Sequence, residues 1–388
     1  MRGNVLFISH DASRTGAPLS LLLFLRWLKT HSDVSFEIIL KNSGELKTEF
    51  EKISRVTLLN PAETGILKRL LRYINFWKYR FYFLSCLKKR LGAKNIQLVY
   101  ANTIDAGDLL GYLSFINCPV VTHVRELESS ILHFGPKNLN LIKTRSTHFI
   151  AVSKEVKNEL IKKHGFPESK IDQVYNFISI ASSNVSKASQ FRKKILSDMN
   201  LPTDTQIVCS AGTVNLRKGP DLFVKLAALI QVKYHEPPVH LIWIGKAPNR
   251  FFAYQLSKMS KTLPVHFLGE KKNPQDYFLA SDIFVLTSRE DPFPRVCLEA
   301  ASLAKPIVCF DQHNGAKELV ENDAGFVVPY LNLEVMADKI VELLRSRELR
   351  EKLGKCGQRK ARNHHNADAC ASKILIIIKK YLGLVSQA

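Results

Sequence analysis

Arg217 and Lys218 lie side by side in the run Ala211–Asp221, next to Gly219-Pro220. A guanidinium fork and a compact ammonium beside a glycine turn suit a diphosphate. A basic surface turn would read the same way. A second run, Thr287–Ala301, places Asp291 and Glu299 eight residues apart between an apolar strand and a helix rich in Ala and Leu. That spacing puts both acids on about one helical face. An acid at the mouth accepts hydrogen bonds from sugar hydroxyls, and one two turns further in accepts the two hydroxyls of a ribose. Phe293-Pro294-Arg295 leads into the helix, whose first N–H groups would face a diphosphate. A capped helix with an acidic first turn is the plainer alternative. The third run, Ser9–Pro18, joins an opening strand to a helix, with Gly16 leaving room for a ligand and Pro18 suited to a first helical turn. It holds no G-x-G-x-x-G, which argues against a nicotinamide dinucleotide there.

These runs need a scaffold that presents several loops on one edge. Short continuous apolar segments alternate with helical ones along the chain of 388 residues. The expected strands are 5–9, 36–40, 56–59, 98–101, 119–123 and 149–152, then 207–211, 240–244, 265–268, 283–286, 307–310 and 326–328. Such runs suit parallel strands covered on both faces. Two successive series give an α/β chain of two Rossmann-like, doubly wound domains. The expected domains are 1–180, a linker at 181–205 holding a polar helix over 189–199, a second domain at 206–366, and an apolar C-terminal helix at 367–388.

Composition bounds the setting. The seven cysteines form no C-x-x-C pair, so reduced, mostly buried thiols and a cytosolic protein are expected. No signal core or bilayer-length apolar run is visible. The net charge of +21 calls for an acidic partner. No acid occurs between Ile66 and Ile104, where nine cations up to Lys94 interleave with Tyr73, Phe76, Trp77, Tyr79, Phe81, Tyr82 and Phe83. Residues 66–94 could rest on an anionic membrane from the cytosolic side; a packed helix with solvated cations also fits. Nucleic acid is not an expected partner. No metal-ligand cluster stands out, and His364-His365 reads as a solvated pair.

Together these segments resemble the retaining glycosyltransferases of the B-type fold, the group-one superfamily. The resemblance also draws on Val152–Lys154, Gly245, Phe267–Gly269, Ala280–Val285, Lys305–Cys309, and Gly315 through Glu318-Leu319-Val320 to Gly325, and so covers nearly the whole chain. It implies two domains facing across a cleft, with the C-terminal helix returning to the first. It implies a nucleotide-diphosphate-sugar donor, a glycan or lipid-linked acceptor, a place in cell-surface polysaccharide synthesis, and no cofactor or metal. Arg217 and Lys218 would hold the diphosphate, Glu299 the ribose, Leu268 and nearby backbone the base, and Gly16 would line the junction of donor and acceptor. Asp291 stands where the family usually has Glu, with Glu290 a competitor for the role. In Thr122–Glu128, Arg125 takes the place of the family's usual histidine and Glu126 that of its acid, with His123 two residues earlier on the same strand face. The alternatives are a nucleotide-sugar epimerase or phosphorylase of this fold, and a non-catalytic sugar-binding protein that kept it.

Overall fold

The computed structural model describes residues 3–59, 85–179 and 185–384. They form two compact units, one of Met1–Asn176 with Ala367–Ala388 and one of Phe177–Asn366.

The first unit is built on a parallel sheet of β1 (Asn4–Ser9), β2 (Ser35–Leu40), β3 (Val56–Leu58), β4 (Leu98–Ala101), β5 (Val120–Val124), β6 (His148–Ala151) and β7 (Ile171–Gln173). Their spatial order is β3-β2-β1-β4-β5-β6-β7. Every residue of β4, β5 and β6 is buried, as strands covered on both faces require. In β1, Val5 pairs with Phe36 of β2 on one side and Leu98 of β4 on the other. The chain order therefore reverses at β1/β4, the kind of point at which open α/β sheets bind ligands. The short edge strand β7 has only one buried residue, Ile171, so the apolar-run criterion does not reveal it.

The second unit repeats the plan with β8 (Gln206–Ala211), β9 (Val239–Ile244), β10 (Val265–Phe267), β11 (Ile283–Leu286), β12 (Ile307–Phe310) and β13 (Gly325–Val328), ordered β10-β9-β8-β11-β12-β13. Its reversal falls at β8/β11. The loops after these two strands are the Arg217-Lys218 run and the Asp291 run, so the topology itself makes them neighbours. Phe223, Trp243, Phe310 and Ile340 anchor the core beneath them.

The polar segment between the expected domains forms the helix Val185–Asp198, which is fastened to the second unit. Arg192 donates to the carbonyls of Ala280 and Thr205 and pairs with Asp282 at 2.9 Å. The helix Ala367–Tyr381 returns to the first unit. It buries Ile374, Leu375, Ile377 and Ile378, and Asp368 accepts a 2.7 Å bond from Trp27 Nε1. All seven cysteines are free, with Cys209, Cys297, Cys309 and Cys370 buried. Among the described residues no helix is long and apolar enough to cross a membrane.

Most of the basic aromatic stretch, residues 60–84, lies outside the described residues. Its described end buries Leu87 and Leu91, leaves Lys88 and Lys89 exposed, and joins Arg90 to Thr57 Oγ1 at 2.6 Å.

If the returning helix completes the first unit's core, Ile374→Ala, at a fully buried position, costs about 2–5 kcal/mol. Ile376→Ala, two residues on and 61% exposed, costs less than about 0.5 kcal/mol. Calorimetric unfolding of both variants measures the difference.

Candidate active site

In the second unit the chain leaves β8 at Ala211 and makes a tight turn over Leu216–Lys218. Asn215 caps it, its Oδ1 accepting from Lys218 N at 3.0 Å. Gly219 ends it in the left-handed region at φ 71°, and a Cβ there would stand 2.1 Å from the Thr287 carbonyl oxygen. The glycine thus lets the turn touch the loop after β11. Thr287 Oγ1 closes that contact by donating to Gly219 O at 2.9 Å.

Arg289 fastens the two loops together. Its N–H donates to Arg217 O at 2.8 Å, its guanidinium donates to Leu216 O at 2.7 Å, and it forks onto both Asp221 oxygens at 2.8 and 2.6 Å. That fork holds the Asp221 carboxyl below its ordinary pKa against the opposing effect of burial. Tyr330 OH donates to Arg289 O at 3.1 Å. Arg289, Asp221 and Asn215 escape motif reading because they face the protein and not a ligand. Only Asn215, three residues before Lys218, carries a sequence signal, the capping pattern.

So held, Arg217 donates to Glu290 O at 2.8 Å, and the Lys218 ammonium forms an ion pair with Asp291 Oδ2. The Lys218 and Asp291 side chains are only 15% and 6% exposed. Burial pushes the Lys218 ammonium down, and the Asp291 carboxylate resists that shift. Asp291 is fixed through its backbone, donating to His313 O at 2.8 Å and accepting from Gly315 N at 2.9 Å. Of the two neighbouring acids, Asp291 meets the lysine, while Glu290 is buried and offers its carbonyl to Arg217.

The helix Arg295–Ser302 follows, with Glu299 on its second turn. Arg295 reaches Glu299 Oε1 at 3.3 Å. Burial raises the Glu299 carboxyl above its ordinary value, and Arg295 partly offsets this. Phe293 and Pro294 are buried at the helix entry, and the Phe293 ring lies 5.3 Å from that of His365. His365 is therefore buried, contrary to the solvated pair expected from sequence; its neighbour His364 is exposed. Leu268 follows β10, on the far side of β9 and β8 from β11. Glycine backbone links its loop to the site: Gly245 N donates to Gly269 O and Gly212 N to Ile244 O, both at 2.9 Å.

The first unit holds its own cluster at the β1/β4 reversal. Gly16 is exposed, with no atom within 4 Å of where a Cβ would stand. Arg125 donates to Asn102 Oδ1 at 3.0 Å, and Asn102 donates to Ala17 O at 3.1 Å. Arg125 also reaches His123 Nδ1 at 3.1 Å and Asn176 Oδ1 at 3.4 Å. A guanidinium only donates, so His123 Nδ1 accepts from it and from Tyr100 OH at 2.6 Å, leaving the proton on Nε2. Burial, with Arg125 beside it, keeps His123 well below its ordinary pKa and neutral. Arg125 is partly exposed and His123 buried, so of the two only the guanidinium is open to solvent. Glu126 accepts from the N–H groups of Arg125 and Ile104 at 2.8 and 3.3 Å, and burial pushes its pKa up to about 7.

Glu128, Glu159 and His164 are the one group among the described residues whose ligand atoms could surround a metal, lying within 4.8 Å of one another. Lys163 already brings a cation to within 3.2 Å of Glu159 and 3.7 Å of Glu128. None of the expected site residues belongs to this group.

The profile of Glycosyl transferases group 1 matches residues 191–360, and that of Glycosyltransferase Family 4 matches residues 53–182. The chain belongs to the group-one glycosyltransferase superfamily. It is 25% identical over 246 residues to spore coat protein SA of Bacillus subtilis, covering 60% of this chain and 64% of that one. It is 22% identical to the capsular polysaccharide biosynthesis glycosyltransferase CapM of Staphylococcus aureus, over 56% of this chain and 57% of that one. The chain thus spans less than two thirds of the length of these relatives. Among solved structures it resembles HepE of Anabaena in complex with UDP and glucose, with a TM-score of 0.79, 23% identity, and coverage of 97% and 99% of the two chains. It also resembles sucrose-phosphate synthase of Thermosynechococcus elongatus, with a TM-score of 0.76, 16% identity, and coverage of 99% and 100%. These likenesses place the two sheets in the superfamily's B-type fold.

The buried Glu126 carboxyl sets a pH dependence. Its pKa rises from 4.5 in the unfolded chain to about 7 in the folded one, so the folded state holds its proton more tightly. Stability should fall as pH rises from 4.5 through about 7, by on the order of 3 kcal/mol, and level off above. Glu126→Gln should flatten that slope in urea unfolding measured across this range.

Proposed function

We propose that the chain is a glycosyltransferase that moves a sugar from a nucleotide-diphosphate-sugar donor to a glycan or lipid-linked acceptor in cell-surface polysaccharide synthesis, with retention of anomeric configuration. The observation that carries this reading is the placement of Arg217 and Lys218 on a clamped turn at the β8/β11 reversal, beside Asp291 and the helix bearing the partly buried Glu299. Open α/β sheets bind ligands at such reversals.

In this reading Arg217 and Lys218 receive the donor diphosphate and stabilise the charge that builds on it as the glycosidic bond breaks. These fixed cations, with the N-terminal end of the helix Arg295–Ser302, supply that charge without a metal. Asp291 keeps the Lys218 ammonium charged in a buried position and offers a carboxylate to the sugar hydroxyls. Glu299 accepts from the ribose hydroxyls, with Arg295 holding it in place. Phe293 and Pro294 set the helix entry, and Leu268 with the glycine-linked backbone cradles the base. In the first unit, Gly16 leaves its turn open to a sugar or phosphate oxygen, and Arg125, oriented by His123, Asn102 and Asn176, presents a guanidinium to a hydroxyl-rich or anionic ligand. Residues 66–94 would attach the protein to an anionic membrane from the cytosolic side.

Relatives support the donor and pathway classes. HepE of Anabaena is described in complex with UDP-glucose, and the matching bacterial relatives include proteins of capsular polysaccharide and teichuronic acid biosynthesis.

Thermal unfolding with a panel of nucleoside diphosphates and their sugars tests the reading. One base should stabilise the parent by about 2.7 kcal/mol at 100 times its dissociation constant, and neither Arg217→Ala nor Glu299→Ala should respond. A parent that no nucleotide stabilises, or variants that respond as the parent does, would overturn it.

A further inference from the structure

The helix Arg250–Met259 of the second unit has two unlike faces. One face is tied to the core through buried Leu256 and partly buried Phe252. The opposite face presents Phe251 at 69% and Tyr254 at 55% exposure. Phe251 and Tyr254 are neighbours at i, i+3, so their rings share one patch. Single exposed apolar side chains are ordinary; two adjacent exposed aromatics on one short helix are a patch.

The stretch of chain that carries this patch has charge of one sign. From Pro237 to Gly269 the sequence contains no Asp or Glu, while Lys246, Arg250, Lys258 and Lys261 are all exposed. Lys258 Nζ sits 4.7 Å from the centroid of the Tyr254 ring. The two histidines of the same stretch, His240 and His266, are both held below their ordinary pKa by burial, so they add no charge at neutral pH. Exposed aromatic rings on a stretch that carries cations and no carboxylate of its own suit an anionic lipid interface, with rings at headgroup depth and cations on the phosphates.

We propose that this helix face is a docking surface for anionic phospholipid, separate from residues 66–94. The loop Gly245–Asn249 that leads into the helix meets the donor loops through Gly212 and Gly245. Docking would therefore bring the edge of the second sheet that carries Lys218 and Asp291 close to the lipid surface. This consequence for an acceptor embedded in lipid rests on the proposed function; the docking does not.

Co-flotation of the full chain with phosphatidylglycerol-rich vesicles, and with phosphatidylcholine alone, at low salt tests the proposal. The parent should float with the anionic vesicles only. A Phe251→Ser/Tyr254→Ser double variant should partition at least about tenfold more weakly, although residues 66–94 are unchanged. The double variant should keep the parent's stabilisation by nucleotide, which separates loss of docking from loss of fold or of the donor site. In Phe251→Trp, the added emission should shift to the blue on anionic vesicles. Equal partitioning of parent and double variant, an unshifted emission, or a parent that ignores anionic vesicles would each overturn the proposal. So would a double variant that loses binding only to duplex DNA, which would assign the patch to nucleic acid.

Discussion

Lys218 and Asp291 lie 73 residues apart in the chain and meet as an ion pair almost out of water. Such a pair adds little net stability, because withdrawing two charges from water costs about what their attraction returns. What it does is fix a charged ammonium at a chosen point. Around it the second unit is organised as a support. Gly219 allows the loops to touch, Asn215 caps the turn, Arg289 bolts the turn to the loop after β11, and Asp221 holds Arg289 in register. His313 and Gly315 hold Asp291 by its backbone, so its carboxylate has little freedom to turn away. The helix Arg295–Ser302 begins four residues after Asp291, on the same loop.

The first unit solves a related problem by other means. Arg125 is also held in a partly buried position at a chain reversal, but the partners that fix it are the neutral side chains of Asn102, Asn176 and His123. Neutral acceptors orient a guanidinium without cancelling its charge. His123 can serve in this way because burial and Arg125 together keep its ring neutral, with Nδ1 free to accept. Glu126 sits next in sequence yet turns inward to hold backbone N–H groups, so burial acts on it as it does on Glu299. Both carboxyls are raised by desolvation, and each has a cation close by.

Much of this was legible in the sequence, for a physical reason. Parallel strands covered on both faces must be continuously apolar, so all but the short edge strand β7 stand out. A reversal of strand order also brings together loops that are far apart in the chain. The Arg217-Lys218 run and the Asp291–Glu299 run could therefore be read as one site from family resemblance, and the fold brings them together. The supporting residues were less legible. Arg289, Asp221 and Asn102 are ordinary loop polar residues whose partners are set only by tertiary contact. The pair His364-His365 suggests two solvated rings, yet the Phe293 ring covers His365. The polarity of the segment after residue 180 suggests a linker, but Arg192 ties its helix to Asp282. Polarity reports exposure of a face; it does not report which body the other face joins.

The central claim is that Lys218 is placed to meet a diphosphate. Isothermal titration of the nucleoside diphosphate that stabilises the parent, into the parent and into Lys218→Met, tests it most directly. Loss of a charge-assisted contact of about 1.5–3 kcal/mol should weaken binding by about 10- to 100-fold. A Lys218→Met variant that stays folded and binds the diphosphate as tightly as the parent would contradict the account.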